Sequence, residues 1–442
     1  MNEFISLVLA FHFVLLLVYK LGKTLPIREL AAFTYTLQIL IGALLTYKFY
    51  PHTPVGFMTV REETYYPYAL PCVLVFILGL YFPPFKYTSF RLSTILDSNK
   101  IGNAINKEEW SKLGVQIVIA SFVVQVISSF FPSDGLSFFY TLFSYFRYVG
   151  IYYLWVGKYK YRYVFFAIVF IPFIATSLAG GLFIEMFIWS FLTFAAIQLP
   201  KPRSFRVNIL VFAGGLFMMF LMQSVKLDFR KVAWKEGNTM SVTERIGYFA
   251  SLATNFDLGD SKTRDLANMH FIIRINEGFI LSNIMKNMPA RQPFVDGKYF
   301  KDELEGIFVP RFLVPDKAVV GSHEKFEKFA GWKLDRNVAM AVSILGDGYG
   351  NFGYWGGIIF CFLNGLLLNF LLHLCAKIAN EREKSLVLWM PVIFTFSVRC
   401  GDEFYIITNH IVKSSILIFI IFYFLKRTGT LSRLSNTKPL SQ

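Results

Sequence analysis

The hydrophobic residues of the chain fall into long apolar stretches that a single long polar stretch interrupts. A helix that spans a bilayer needs about 20 mostly apolar residues. By this criterion the pattern predicts about eleven spanning helices, near residues 4–19, 29–50, 65–82, 112–131, 136–156, 163–178, 181–199, 206–225, 350–376, 385–399 and 405–425. The polar stretch follows the eighth of them. The pattern therefore predicts an all-α polytopic membrane protein with one large loop.

The same pattern divides the chain into four parts. Residues 1–225 are expected to form an N-terminal transmembrane bundle, 226–349 a loop domain, 350–426 the C-terminal transmembrane helices and 427–442 a tail. In the loop domain, Ser241 and Glu244 have the spacing of a capping box, which predicts that a helix begins there. Apolar residues at helical spacing predict further helices at about 263–288 and 299–305. The loop domain is therefore expected to be folded.

Basic residues alternate between the connections from one end of the chain to the other. They are concentrated in the connections at 20–28, 86–107, 158–162, 201–206 and 377–384 and in the tail, and they are scarce at 51–63, 132–135, 179–181 and 400–404. Connections rich in Lys and Arg stay in the cytoplasm. The alternation predicts an N-terminus outside, a C-terminus in the cytoplasm and a loop domain on the outer face.

Composition supports a protein whose partner is the lipid bilayer. Of the 442 residues, 55% are hydrophobic and 17% are charged, whereas soluble domains carry about 25% charged residues. The net charge of +15 does not indicate nucleic acid, because the cations lie in short connections and form no single patch with aromatic residues. The four cysteines have no metal-ligand spacing, and no cofactor or metal is predicted.

The first candidate site lies in the second half of the loop domain. Pro310 and Pro315 stiffen a segment that carries Arg311 and Lys317. A guanidinium and an ammonium on a stiff segment suit a phosphate or diphosphate. The alternative is a loop whose cations pair with local acids such as Asp316.

The second candidate is the glycine-rich stretch at 346–356. Its glycines permit close backbone approach, and Asp347, Tyr349 and Asn351 offer one acid and two hydrogen-bonding groups. The alternative is a turn with small-residue packing where a helix begins.

Charged residues elsewhere are further candidates. Arg399 and Glu403 lie at the outer end of the tenth predicted span, where Arg399 could also pair with a neighbouring acid. Glu185 has no basic neighbour in sequence, so it lines a cavity, accepts a hydrogen bond from another helix or is a protonated structural residue. Arg274 shares a helix face with Glu277 and could simply pair with it. Arg245 and His323 complete the candidates for substrate binding.

With these residues in view, the chain resembles the oligosaccharide repeat-unit polymerases, the O-antigen polymerase family of bacterial envelopes. The segment Pro310–Lys317 is similar to a proline–arginine–proline–lysine stretch in their loops, and Gly348–Gly356 is similar to the tyrosine–asparagine–phenylalanine–glycine start of their following helix. Elsewhere only the topology matches. Many members carry an Arg near the start of the helix that corresponds to 181–199, whereas residues 177–181 contain none.

The resemblance implies a fold similar to the C-type membrane glycosyltransferases and a metal-independent glycosyltransferase in the bacterial cytoplasmic membrane. Such an enzyme moves a glycan from one undecaprenyl diphosphate to a second lipid-linked repeat unit on the outer leaflet, and a chain-length regulator is an expected partner. Arg311, Lys317, Arg399 and Arg274 would then stabilise the diphosphate, with Asp347 or Glu403 as the general base.

Two other functions are compatible with the sequence. One is an O-antigen ligase or related glycan transferase with a different acceptor. The other is a flippase for lipid-linked oligosaccharide, which needs charged or broken helices near the midplane of the membrane. The predicted spans carry few charges in their middle, and this favours an enzyme.

The predicted orientation can be tested with a topology reporter. A reporter inserted between residues 290 and 300 should give an extracytoplasmic signal, because the basic connections put this loop outside. The same reporter placed after residue 427 is the control and should give a cytoplasmic signal. A cytoplasmic signal from the first insertion would contradict the whole topology.

Overall fold

The structure of the protein is a computed structural model that describes residues 1–50, 58–83, 106–131, 136–181, 183–235, 238–256, 260–308, 323–335, 338 and 340–434. These residues form helices and no strand, so the prediction of an all-α chain is confirmed for them. The helices of the first half are α1 Asn2–Lys20, α2 Ile27–Phe49, α3 Glu62–Leu80, α4 Lys107–Phe130, α5 Ser137–Val156, α6 Arg162–Gly180, α7 Ile184–Gln198 and α8 Phe205–Ala233. Those of the second half are α9 Val242–Thr254, α10 Ser261–Ile275, α11 Gly278–Asn287, α12 Lys298–Phe308, α13 His323–Ala330, α14 Ser343–Glu381, α15 Lys384–Phe394, α16 Phe404–Arg427 and α17 Thr430–Leu434.

Among the described residues, eight helices are long and apolar enough to cross a membrane: α1, α2, α3, α4, α6, α8, α14 and α16. The helices α7 and α15 are apolar but shorter. The helix α5 has 20 residues but is rich in tyrosine and carries Arg147 near its middle. The chain is therefore a helical protein with several segments that can span a bilayer.

The predicted single helix at 263–288 is wrong, because the structure divides it into α10 and α11. Asn276, between them, donates a hydrogen bond from its side chain to Thr46 Oγ1 at 2.9 Å. Its backbone also lies so close to α2 that a Cβ on Gly42 would be 2.7 Å from Asn276 Cα. This contact with a distant helix ends α10 where the local sequence favours continuation.

Two other predicted boundaries also change. The glycine-rich stretch was expected to precede a helix beginning at 350, but it lies inside α14, which begins at Ser343 and bends at Gly353, where φ is 68°. The predicted span at 385–399 ends early, because α15 stops at Phe394 and turns follow. Thr34 on α2 donates a hydrogen bond to the Val398 carbonyl at 2.9 Å and holds these turns.

The capping box at Ser241 and Glu244 is confirmed.

The helices α3 and α14 pack closely because glycines remove the side chains at their contact. A Cβ on Gly365 would lie 2.1 Å from the Phe76 carbonyl oxygen, and one on Gly79 would lie 2.5 Å from the Phe362 carbonyl oxygen. Small residues let membrane helices approach to backbone distance. This contact holds the middle of α14 against α3.

The C-terminal helix α17 contacts the start of α4 at one end of the helical body. The carbonyl oxygen of Leu434, the last residue of α17, accepts hydrogen bonds from the Asn106 backbone at 3.2 Å and from the Trp110 indole at 3.0 Å. At the opposite end of the spanning helices, α9 to α13 cover the C-terminal end of α8 and the start of α14. The charged candidates collect at this second end.

The glycine contact predicts a large effect of one methyl group. Gly365→Ala should destabilise the protein by about 1–3 kcal/mol, because the new Cβ forces α3 and α14 apart. Gly214→Ala is the matched control on α8, where nothing lies within 4 Å of the added Cβ; it should leave stability unchanged or raise it by up to about 1 kcal/mol through helix propensity. Thermal unfolding of the detergent-solubilised protein measures both, and equal melting temperatures would contradict the predicted contact.

Candidate functional site

A buried lysine surrounded by three carboxyl groups lies where the loop domain meets the membrane helices. Lys325 Nζ lies 2.8 Å from Asp347 Oδ1 and 3.4 Å from Glu403 Oε2, and it also contacts Glu303 Oε1. All four side chains are at most 3% exposed. We call these four residues the lysine cluster. It joins α13, α12, α14 and the residue before α16.

Local sequence explains why the charges face inwards. On α13 the buried residues are Lys325, Phe326, Phe329 and Ala330, so the lysine lies on the apolar face of a short amphipathic helix. On α14 the Asn351 amide donates to Asp347 Oδ1 at 2.8 Å, and its oxygen accepts from the Phe300 backbone at 3.3 Å. Asn351 therefore links α14 to α12 and fixes the carboxylate.

The electrostatics of the lysine cluster keep one of its carboxyl groups protonated at neutral pH. Burial raises the pKa of Glu303 to about 9, with further contributions from the neighbouring carboxylates. Burial would lower the pKa of Lys325, but Asp347, Glu403 and Glu303 outweigh it and raise the pKa above its usual range. At neutral pH the lysine is therefore charged and Glu303 is protonated. Such a closed cluster can hold helices together and exchange protons, but a sugar substrate has no access to it.

A second group of charged side chains lies beside the lysine cluster, at the N-terminal end of α7. Arg399 Nη2 lies 3.0 Å from Glu185 Oε1, which also accepts a hydrogen bond from the Tyr145 hydroxyl at 3.3 Å. The guanidinium lies 4.1 Å from the centre of the Phe396 ring. Glu185 is 41% exposed and Arg399 is 14% exposed. The arginine thus pairs across the fold, not with the acids next to it in sequence.

Two half-buried carboxyl groups adjoin this ion pair. Burial raises the pKa of Asp402 to about 7, although Arg399 opposes the shift. Burial also raises the pKa of Glu277, and Arg274 opposes it. A Cβ on Gly401 would lie 3.5 Å from the Glu277 carboxyl group, so the two acids belong to one neighbourhood. A carboxyl group that titrates near neutral pH is suited to general acid–base catalysis.

A third group contains only cations, and we call it the cation group. It consists of Lys226 and Arg230 on α8 and Arg274 on α10. Lys226 is 4% exposed, lies 5.3 Å from the centre of the Phe183 ring, and has Arg274 and Arg230 as the charged groups that act on it. Arg230 donates to the Gly181 carbonyl at 2.8 Å. Within the described part of the chain, no carboxylate lies within 4 Å of these three cations. The group is therefore suited to an anionic ligand.

The remaining sequence candidates have varied positions. Tyr349 is buried between the rings of Tyr68 and Phe294. Arg245 lies half-buried on α9, and His323 begins α13. Arg311 and Lys317 lie outside the described residues, so their role stays a prediction. Over the described ranges, no group of three or more His, Cys, Asp or Glu side chains is arranged to hold a metal ion.

Sequence reasoning missed Lys226 and Arg230. The signal was their spacing of four residues, which puts both on one face at the end of a long apolar helix. A cation just inside such a helix is costly unless an anion or water compensates it.

The lysine cluster predicts a strong dependence of stability on one charge. Lys325→Met should destabilise the protein by about 3–5 kcal/mol, because it leaves three buried carboxyl groups without a cation. Lys328→Met, on the same helix but half-buried and bonded to Gln292 at 2.6 Å, is the control and should cost about 1 kcal/mol. Thermal unfolding of the purified proteins measures both, and equal losses would contradict the cluster.

Glu303→Gln is the second variant of this test. In the native protein, Glu303 stays protonated up to about pH 9, whereas the unfolded chain releases this proton near pH 4.5. The contribution of this proton to stability is therefore complete at low pH and is lost as the pH rises from about 4.5 to 9. The glutamine variant should fold and lose this part of the pH dependence.

Comparison with known proteins gives one match. A family model described as "Domain of unknown function (DUF8712)" matches residues 91–433, which is most of the chain. No curated protein and no solved structure matches it. The chain belongs to the DUF8712 family of domains of unknown function.

Proposed function

We propose that the chain is a membrane glycosyltransferase that polymerises oligosaccharide repeat units carried on undecaprenyl diphosphate, at the outer face of the bacterial cytoplasmic membrane. In this proposal α5, α7 and α15 also cross the bilayer, which gives about eleven spans. The loop domain lies outside and the C-terminus lies in the cytoplasm. The likeness to repeat-unit polymerases at residues 309–356 and the charges at the end of α8 support the proposal.

The observation that carries the proposal is the buried amine of Lys226, which has no carboxylate within 4 Å among the described residues. A buried charge without a counter-charge costs several kcal/mol, so this site favours an anion. At 1.5 Å per residue, about 30 Å of α8 measured from Phe205 ends near residue 225. Lys226 and Arg230 then lie at the outer boundary of the hydrocarbon, where the headgroup of a lipid-linked substrate lies.

The cation group would stabilise the leaving group of the reaction. The acceptor hydroxyl forms a new bond to the anomeric carbon of the donor, and the bond from that carbon to the diphosphate breaks. The diphosphate leaves with the electron pair, so in this proposal negative charge grows beside the cation group. One well-placed hydrogen-bond donor stabilises such a transition state by about 3 kcal/mol. Arg311 and Lys317 would add to this charge.

Asp402 is our proposed acceptor of the hydroxyl proton. Its pKa, raised to about 7 by burial, matches the requirement for a base at neutral pH. Asp347 and Glu403, the candidates from sequence, are held by Lys325 in a closed cluster and are at most 3% exposed. We therefore assign them to holding the loop domain, with Glu277 as the neighbour that tunes Asp402. Arg399 and Glu185 would orient this corner of the site.

The proposal can be tested with chromosomal variants in the native host, with surface glycan analysed on gels. Lys226→Gln should reduce the glycan to a single repeat unit, because the diphosphate loses its buried cation, and Lys226→Arg should restore part of the polymer. Lys231→Gln is the matched control on the same helix, since Lys231 is 73% exposed and paired with Asp228; it should give full-length polymer. Immunoblots of the membrane fraction confirm equal protein amounts.

Deletion of the gene separates the alternative functions. A single-repeat product is expected for a polymerase. Full-length polymer that stays unattached would indicate a ligase, and loss of all outer-leaflet glycan would indicate a flippase. A Lys226→Gln strain with normal polymer would remove the cation group from the proposed site.

A further inference from the structure

A basic groove lies at the end of the helical body opposite to the site described above. It has a volume of about 570 Å³ and lies between the first turns of α4 and the connection from α5 to α6. Its lining includes Lys107, Lys112, Lys158, Lys160 and one acid, Glu108. In the ranges that the structure describes, none of the four lysines forms an ion pair. The groove therefore carries an excess of positive charge.

The groove is built by a close contact between backbones. A Cβ on Gly157 would lie 2.4 Å from Ser111 Oγ and 2.8 Å from the Lys107 carbonyl oxygen, so the connection rests directly on α4. Ser111 Oγ donates to that same carbonyl at 2.8 Å. The next residue, Lys158, has a φ of 55°, a conformation that is costly for a residue with a side chain. Such strain persists only where the surroundings fix it, so Lys158 is held in place beside α4.

Basic residues at this end are expected from topology alone, so they do not identify a ligand by themselves. The feature that distinguishes this groove is an exposed apolar stripe on α4 that begins at the groove. Lys112 and Gln116 are exposed at the groove, and Ile119, Val123 and Val126 continue on the same face of the helix with exposures of 53%, 50% and 56%. The spacing of four, three, four and three residues keeps all five on one stripe. The surface is thus cationic at its end and apolar along its length.

We propose that this groove binds an anionic phospholipid, with its phosphate at the lysines and an acyl chain along the apolar stripe of α4. A free phosphate would use the cations but not the stripe, whereas an amphiphile uses both. Basic pockets between membrane helices bind the headgroups of anionic lipids in this way. Tyr159 and Tyr161 lie in the same connection, and aromatic side chains favour this interfacial depth. The proposal does not depend on the glycosyltransferase reaction.

Native mass spectrometry of the full chain in neutral detergent tests the proposal. The probes are phosphatidylglycerol, phosphatidylcholine with the same acyl chains, and glycerol 3-phosphate. The wild type should retain phosphatidylglycerol in preference to the other two. Lys112→Gln/Lys158→Gln should weaken the binding of phosphatidylglycerol about 30-fold, since each lysine near a membrane surface contributes about 1 kcal/mol and 1.4 kcal/mol is a factor of ten.

Lys201→Gln/Arg203→Gln is the control, because both residues are exposed at the same end of the helices but outside the groove. This pair should bind phosphatidylglycerol as the wild type does. If the first double variant does not fold, Lys107→Gln/Lys160→Gln from the same groove takes its place with the same expectation. Equal binding by groove and control variants would overturn the proposal. Equal binding of phosphatidylcholine, or of glycerol 3-phosphate, would also overturn it.

Discussion

The burial of Lys325 among three carboxyl groups is the constraint on which the arrangement of α12, α13, α14 and α16 depends. Its partners lie on α12, α14 and just before α16, and all are nearly inaccessible to water. Removing two charges from water is costly unless their geometry compensates for it. The helices that bring these groups together must therefore keep their relative positions. The cluster fixes the short helices of the loop domain against the membrane helices.

Glycine packing far from the charges supports the same constraint. The contact of Gly365 and Gly79 fixes α14 against α3, and Tyr68 on α3 donates a hydrogen bond to the Leu345 carbonyl at 2.8 Å. Leu345 is two residues before Asp347. The position of a buried carboxylate is thus determined partly by a small-residue contact in the membrane part. Changes at Gly365 should therefore also disturb the lysine cluster.

The sequence predicts a helix correctly where the local apolar pattern determines its position. It fails where a contact with a distant part of the chain determines the end of a helix or the partner of a charged residue. Eight of the predicted spans and the capping box at Ser241 depend on local pattern, and the described residues form long apolar helices and a capping box at these positions. The break at Asn276 depends on a hydrogen bond to Thr46, which no local rule contains. The pairing of Arg399 with Glu185 joins positions 214 residues apart. Such partners become visible only when the helices are packed.

Charge balance explains why the two buried lysines serve different purposes. Lys325 is surrounded by more carboxyl groups than it can neutralise, so it repels a phosphate and favours protons. Among the described residues, the charged groups that act on Lys226 are the cations Arg230 and Arg274, so its charged form needs an anion beside it. Both lysines lie at the end of the helical body for which the charge pattern predicts an extracytoplasmic position. In the proposed reaction, the diphosphate of the substrate would bind at the end of α8, while the lysine cluster would hold α12 and α13 against α14 and α16. The fold thus buries two lysines in opposite charge environments, one among carboxyl groups and one beside cations.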